Sequence, residues 1–244
     1  MKARGPLTRI RVVLSRPSHP GNIGAAARAM KTMGLTRLFL VRPRRFPDPE
    51  ARAMASGAID ILQSARVCAD LDEALAGTAF SVALSARPRE LSHAPLAARD
   101  AARDLVAAAR RRDDVAMVFG NETVGLSNAE ILRCSRLARI PASEEYGSLN
   151  LAQAVQVVAY EVRMAVLAPR AGDSPKPGAA RHEDLEQLYA HLERSLYASG
   201  FLHPRYPRKL MERLRRLFAK ARLEKVEVNI LRGMLAAWDR PRGK

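Results

Sequence analysis

The sequence predicts an α/β protein with a mostly parallel sheet and a small all-helical extension at its C-terminal end. Three observations carry this. Short apolar segments alternate with helical ones from Arg9 to Leu167, the order that builds strand–helix–strand units. The run Val115–Phe119 is apolar without interruption, as suits a central strand covered on both faces. Beyond Ala180 the apolar spacing is helical throughout.

Taken in order, Arg9 to Leu14 reads as a buried strand, broken by Pro17, Pro20 and Gly21. Asn22 is placed to cap a helix from Ile23 to Met33 that Gly34 closes. Thr36 to Val41 is the second strand. Asp48 and Pro49 open a helix to residue 56, and Arg66 to Ala69 is a short strand. Asp70 caps a helix to Ala76, Thr78 to Leu84 is a strand, and Ala94 to Arg112 contains an Ala-rich helix. Ser127 and Glu130 have capping-box spacing for a helix to Cys134. Leu137 to Ile140 is the last strand. In the final helix of this region, Leu151, Val155, Val158, Ala159, Val162, Ala165 and Val166 mark one buried face, with Ser148 and Asn150 at its start.

Residues 1–167 are therefore read as one domain, 168–180 as a Pro- and Gly-rich linker, and 181–244 as a helical basic extension. Three stripes define that extension: Leu185, Leu188, Tyr189, Leu192, Leu196 and Tyr197; then Leu210, Leu214, Leu217 and Phe218; then Val226, Ile230, Leu231, Met234 and Trp238. Between His203 and Lys225 lie nine Lys or Arg against two Glu. Arg205, Arg208, Lys209, Arg213 and Arg216 in this run suit an RNA backbone, and equally suit a solvated helix face.

The whole chain of 244 residues carries 41 Lys and Arg against 25 Asp and Glu, a net charge of +16. That surplus favours a polyanionic partner, nucleic acid before an anionic membrane surface. The two cysteines, Cys68 and Cys134, stand far apart and the five histidines lack metal-ligand spacing. These features point to a reducing cytoplasm, no disulfide framework and no metal. No apolar run is long enough for a bilayer. GxGxxG, GxxxxGK[ST] and GxSxG are all absent, which leaves dinucleotide, P-loop and serine-hydrolase chemistry without motif support.

Three polar loops interrupt the α/β pattern after strands, where open parallel sheets place ligands. They are Ser18 to Arg28, Phe119 to Leu126 and Ile140 to Asn150. Arg28 has only Ala neighbours, which leave its guanidinium open to a substrate, although a surface position is the commoner fate of an Arg. Glu122 follows the central strand and is either a helix-dipole or turn residue or, facing Arg28, a bidentate partner that fixes the guanidinium plane.

As a set, P-G-N-I-G-A-A-A-R-A-M-K-T-M-G-L (20 to 35), V-F-G-N-E-T-V-G-L-S (118 to 127) and Y-G-S-L-N-L-A-Q-A-V-Q-V-V-A-Y-E-V-R-M-A (146 to 165) resemble the motifs of the SpoU branch of the SPOUT RNA methyltransferases. Within that branch the match is nearest to enzymes that methylate a ribose 2'-oxygen in tRNA, at nucleotide 32 of the anticodon loop. The resemblance covers residues 8 to 167. It implies a deep C-terminal trefoil knot, a homodimer and S-adenosylmethionine as donor. It also implies a catalytic set of Arg28, Asn22, Glu122, Ser148 and Asn150. Donor contacts are expected at Leu84, Ser85, Ala86, Gly120, Asn121, Ile140, Gly147, Ser148 and Leu149. A guanidinium hardly ever loses its proton, so Arg28 is expected to orient the hydroxyl rather than deprotonate it. Three positions depart from the pattern of that group: Asn121 and Thr123 stand where its members often carry Arg, and Leu84 where they often carry Thr. The alternatives are a SpoU enzyme acting on ribosomal RNA and a non-catalytic RNA-binding or ribosome-assembly protein with a degenerate cofactor cleft.

Overall fold

The computed structural model describes residues 5–86, 95–143, 145–168, 178–203 and 209–240. The chain divides into two compact units, residues 1–174 and 175–244.

In the first unit seven strands form one sheet: β1 (Ile10–Ser15), β2 (Arg37–Val41), β3 (Arg66–Cys68), β4 (Thr78–Leu84), β5 (Leu96–Ala97), β6 (Asp114–Phe119) and β7 (Arg136–Arg139). Their order is β3-β2-β1-β6-β4-β7-β5, and every pairing is parallel. The uninterrupted apolar strand, β6, takes the middle position, as its sequence predicts. Alternation along each strand sorts the core into two layers. Ile10, Val12 and Leu14 of β1 join Met117, Phe119, Val82 and Leu84 on one face, while Val13, Ala116, Val118 and Ala83 point to the other.

The first face is covered by α1 (Pro20–Met33), α2 (Pro49–Ala55), α3 (Ile59–Gln63), α5 (Ala98–Arg110) and α7 (Leu151–Leu167), the second by α4 (Leu71–Leu75) and α6 (Asn128–Leu132). Local chemistry sets most ends. Asp48 accepts from the Glu50 N–H, Asp70 from Glu73, and Ser127 with Glu130 forms both halves of a capping box. Gly34 closes α1 at φ 83°, a conformation that favours glycine. Close packing explains Gly24, because a β-carbon there would sit 2.0 Å from the Ala51 carbonyl oxygen on α2.

The start of α1 departs from expectation. Asn22 is not its cap: the helix begins at Pro20, whose fixed φ and missing N–H suit a first turn, with His19 before it. This frees the Asn22 side chain for contacts outside its own helix. The helical stretch from residue 56 to 63 also continues past the predicted end of α2.

The second unit contains α8 (His182–Ala198), α9 (Leu210–Ala221) and α10 (Lys225–Trp238). Leu188, Val228 and Leu235 bury against Ala180, flanked by Leu185, Leu192, Leu223 and Leu231. Residues 178–180 belong with this unit, where the Ala180 N–H donates to the Leu223 carbonyl at 3.0 Å. The third predicted stripe needs correction. Val226, Ile230, Met234 and Trp238 are 46–71% exposed, and the packed face is the neighbouring Val228, Leu231 and Leu235. Both rows have helical spacing, and periodicity by itself does not say which one meets α8. No residue of α9 is fully buried. Arg215 holds it to α8 with two bonds to Glu186, 2.6 and 2.7 Å, and lies 4.3 Å over the Tyr189 ring.

Candidate active site

Strands β1, β6, β4 and β7 are consecutive neighbours in the sheet, so the loops leaving their C-terminal ends emerge side by side. That is where the three polar motifs lie.

The loop after β6 is fixed by its own residues. A β-carbon at Gly120 would lie 2.3 Å from the Gly125 carbonyl carbon and from the Leu126 nitrogen, so only glycine fits the turn. Asn121 accepts from the Thr123 and Val124 N–H groups at 2.9 and 3.1 Å, and its amide donates to the Arg16 carbonyl at 2.8 Å. This ties the loop to the segment following β1.

Glu122 then reaches the same segment. Its carboxylate accepts from the Ser18 N–H at 2.9 Å, the Ser18 hydroxyl at 2.7 Å, the His19 N–H at 3.2 Å and the Asn22 amide at 3.0 Å. Two of these donors are backbone groups at the N-terminal end of α1, where a negative charge also meets the favourable end of the helix dipole. Burial alone would raise the pKa of Glu122. The bonds from Asn22 and Ser18 outweigh it and hold the group at about 2.

Asn22 carries the connection onward. Its side-chain oxygen accepts from the Asn150 amide at 2.9 Å, and the Asn150 oxygen accepts from the Ala152 and Gln153 N–H groups at 2.9 and 3.4 Å. Asn150 is thus the N-cap of α7, as its sequence predicts. A continuous polar chain, Glu122–Asn22–Asn150, joins all three motifs.

Beside this chain is a cleft of about 620 Å³, formed by the loops after β4, β6 and β7. All nine positions expected to contact the donor line it: Leu84, Ser85, Ala86, Gly120, Asn121, Ile140, Gly147, Ser148 and Leu149. Glu122 contributes to its wall as well. The cleft combines apolar surfaces from Leu84, Ile140 and Leu149 with hydroxyl, amide and backbone groups. Such a lining can take a flat heterocycle and a charged tail, and the ionised Glu122 does not repel a cation. Phe119, Thr123, Arg139 and Ser143 also line it and were missed in the sequence. Phe119, Thr123 and Ser143 belong to loops singled out in the sequence without being assigned a donor contact, and Arg139 is signalled only by its place beside Ile140.

Arg28 corrects an expectation. It is exposed on α1, and the described residues give its guanidinium no hydrogen-bond or ion-pair partner. The bidentate contact with Glu122 is not made, because four other donors occupy that carboxylate. In the second unit Lys209 and Arg213 are exposed and Arg216 is half-buried; Arg205 and Arg208 lie outside the described residues. Among the described residues, no group of three His, Cys, Asp or Glu is arranged to hold a metal ion, and no helix is long and apolar enough to cross a membrane.

Comparison with known proteins gives a consistent setting. Residues 9–160 match the model of the SpoU rRNA Methylase family, and residues 183–244 that of the tRNA methyltransferase TrmJ, C-terminal domain. The tRNA (cytidine/uridine-2'-O-)-methyltransferase TrmJ of Cronobacter sakazakii is 49% identical over 98% of this chain and 99% of its own length. The tRNA (cytidine/uridine/adenosine-2'-O-)-methyltransferase TrmJ of Pseudomonas aeruginosa is 48% identical over 94% of this chain and 93% of its own. The crystal structure of TrmJ from Z. mobilis superposes with a TM-score of 0.82 at 34% identity, covering 94% of this chain and 99% of that one.

The carboxylate chemistry has a measurable signature. Glu122 has its folded pKa at about 2, below the ordinary 4.5, so its stabilisation is complete above pH 4.5 and is lost as pH falls towards 2. Glu122→Gln is expected to cost on the order of 2–3 kcal/mol at pH 7. It should also flatten the fall in stability across that acid window relative to the wild type. Denaturant titrations at several pH values check this, and parallel wild-type and variant profiles would contradict it.

Proposed function

The chain belongs to the SpoU rRNA methylase family, and we propose that it transfers a methyl group from S-adenosylmethionine to a ribose 2'-oxygen of tRNA, at nucleotide 32 of the anticodon loop. The observation that carries this reading is the polar chain from Glu122 through Asn22 to Asn150, which ties the first motif to the second and third beside the cleft that those two line. The match of residues 183–244 to a tRNA methyltransferase C-terminal domain supports tRNA as the substrate. So do relatives near 49% identity named as tRNA 2'-O-methyltransferases. In this reading the C-terminal part of the first unit is threaded into a trefoil knot, and the reaction takes place in the cytoplasm.

When bound, S-adenosylmethionine supplies an electrophilic methyl group on a positively charged sulfur. The residues of this chain supply the placement. Leu84, Ser85 and Ala86 after β4, with Ile140 and the turn at Gly147, Ser148 and Leu149 after β7, would hold the donor, since they line the cleft. Glu122 keeps a negative charge in the cleft wall at neutral pH. Arg28 would align the ribose hydroxyl and stabilise the negative charge that develops on its oxygen, a role a permanently protonated guanidinium can fill; as the new C–O bond forms the donor's S–C bond breaks, and the hydroxyl proton passes to solvent water. In the extension, Lys209, Arg213 and Arg216 hold the RNA backbone, and Arg205 and Arg208 complete that set.

The enzyme works as a homodimer. Tyr160, Met164 and Leu167 recur at three- and four-residue steps along α7 and are 37–61% exposed, an apolar row suited to a second copy. Sedimentation should give a dimer for the wild type and a monomer for Met164→Asp; a monomeric wild type would remove this part of the proposal.

Arg28→Ala should lower methyl incorporation into tRNA by about 10²–10³-fold with donor binding and folding retained. Mass spectrometry of nuclease digests should place the wild-type product at nucleotide 32. An unchanged rate, or label found in ribosomal RNA instead, would overturn the reading. In the same assay, alanine at Lys209, Arg213 and Arg216 together should raise the tRNA concentration for half-maximal rate and leave donor affinity unchanged.

A further inference from the structure

We infer that Arg42 and Arg44, on the loop after β2, form a contact surface for the phosphate backbone of the RNA beside the candidate active site, an inference that rests on the RNA-methylating reading above. The register of β1 on β2 pairs Ser15 with Val41, so Arg16 and Arg42 leave adjacent strands side by side. Both adopt left-handed backbone conformations, φ 52° and 45°. Non-glycine residues rarely accept that region, and it persists where the surroundings dictate it. Here they do. The Arg16 N–H donates to the Val41 carbonyl at 2.7 Å, and the Arg42 N–H to the Cys68 carbonyl at 3.1 Å. The Arg42 Nε also donates to the Ala69 carbonyl at 2.5 Å.

The loop is tied directly to the first motif. The Arg44 N–H donates to the Pro17 carbonyl at 3.0 Å, one residue before Ser18, which binds Glu122. The loop after β2 therefore sits against the segment that carries Ser18 and Asn22, within reach of the phosphates that flank a ribose held at the cleft.

Charge pairing divides the arginines of these two loops. Arg16 is paired with Glu130 at 2.7 Å, and Arg45 with Glu50 at 3.3 Å and Asp48 at 3.7 Å. Arg42 and Arg44 are exposed and have no carboxylate partner among the described residues. Guanidinium groups with fixed backbones and unused donors suit phosphate oxygens.

The test is the affinity of the full-length protein for an unmethylated tRNA transcript across a range of salt concentrations. Changing Arg42 and Arg44 together to Ala should weaken binding about tenfold at fixed salt and reduce the slope of log affinity against log salt by roughly 1–2. Donor affinity by equilibrium dialysis should not move. Arg44→Gln alone, whose guanidinium has no partner among the described residues to lose, should shift the slope in the same direction by about half as much. Lysine at both positions should restore the slope, which a purely structural role would not predict. Unchanged affinity and slope in these variants would overturn the inference, as would an equal loss from Arg103→Ala, which removes the same charge from α5. A wild type that binds and methylates no tRNA overturns the broader reading, and this inference with it.

Discussion

The carboxylate of Glu122 is the point on which the site depends. It accepts four bonds from three residues of another segment, and two of those donors are backbone N–H groups at the opening of α1. A charge drawn partly out of water is costly without such partners and strongly orienting with them. Because Asn22 donates to it and at the same time accepts from Asn150, the position of α7 is set by the same interaction as that of α1. Sheet order makes this possible by bringing the loops after β1, β6, β4 and β7 to one edge. Rigid backbone devices, Gly120 and the Asn121 turn, then aim the carboxylate.

The charge distribution follows from the same arrangement. A chain with a net charge of +16 keeps an ionised carboxylate in the wall of its cleft, suited to a cationic donor, and carries its positive surplus outside, suited to a polyanionic acceptor. Arg28, Arg42 and Arg44 are exposed on the first unit, Lys209 and Arg213 on the second. Burial would have made each of them expensive. Exposure keeps each of these charges hydrated.

Much of the fold was legible because the sequence carries local punctuation. Asp48, Asp70, Ser127 with Glu130, and Asn150 cap the helices they predict, and Gly34 ends α1 in the conformation expected of it. Contacts set by tertiary geometry were not legible. Asn22 looked like a cap because its residue type favours one, yet Pro20 had already opened the helix. Arg28 looked like a partner for Glu122, but it lies six residues beyond Asn22, and six residues at 3.6 per turn lead to a different side of the helix. On α10 the exposed row of Val226, Ile230, Met234 and Trp238 has the same period as the packed row beside it. The left-handed conformations of Arg16 and Arg42 have no sequence signature at all.

The central claim, that one polar chain couples the motifs, is tested most directly by a double-mutant cycle of Asn22→Ala and Asn150→Ala, read in kcat/KM for methyl transfer to tRNA. If the side chains act as one unit, the double variant loses less than the product of the single losses, with a coupling of roughly 1–3 kcal/mol. Losses that multiply independently would contradict the account.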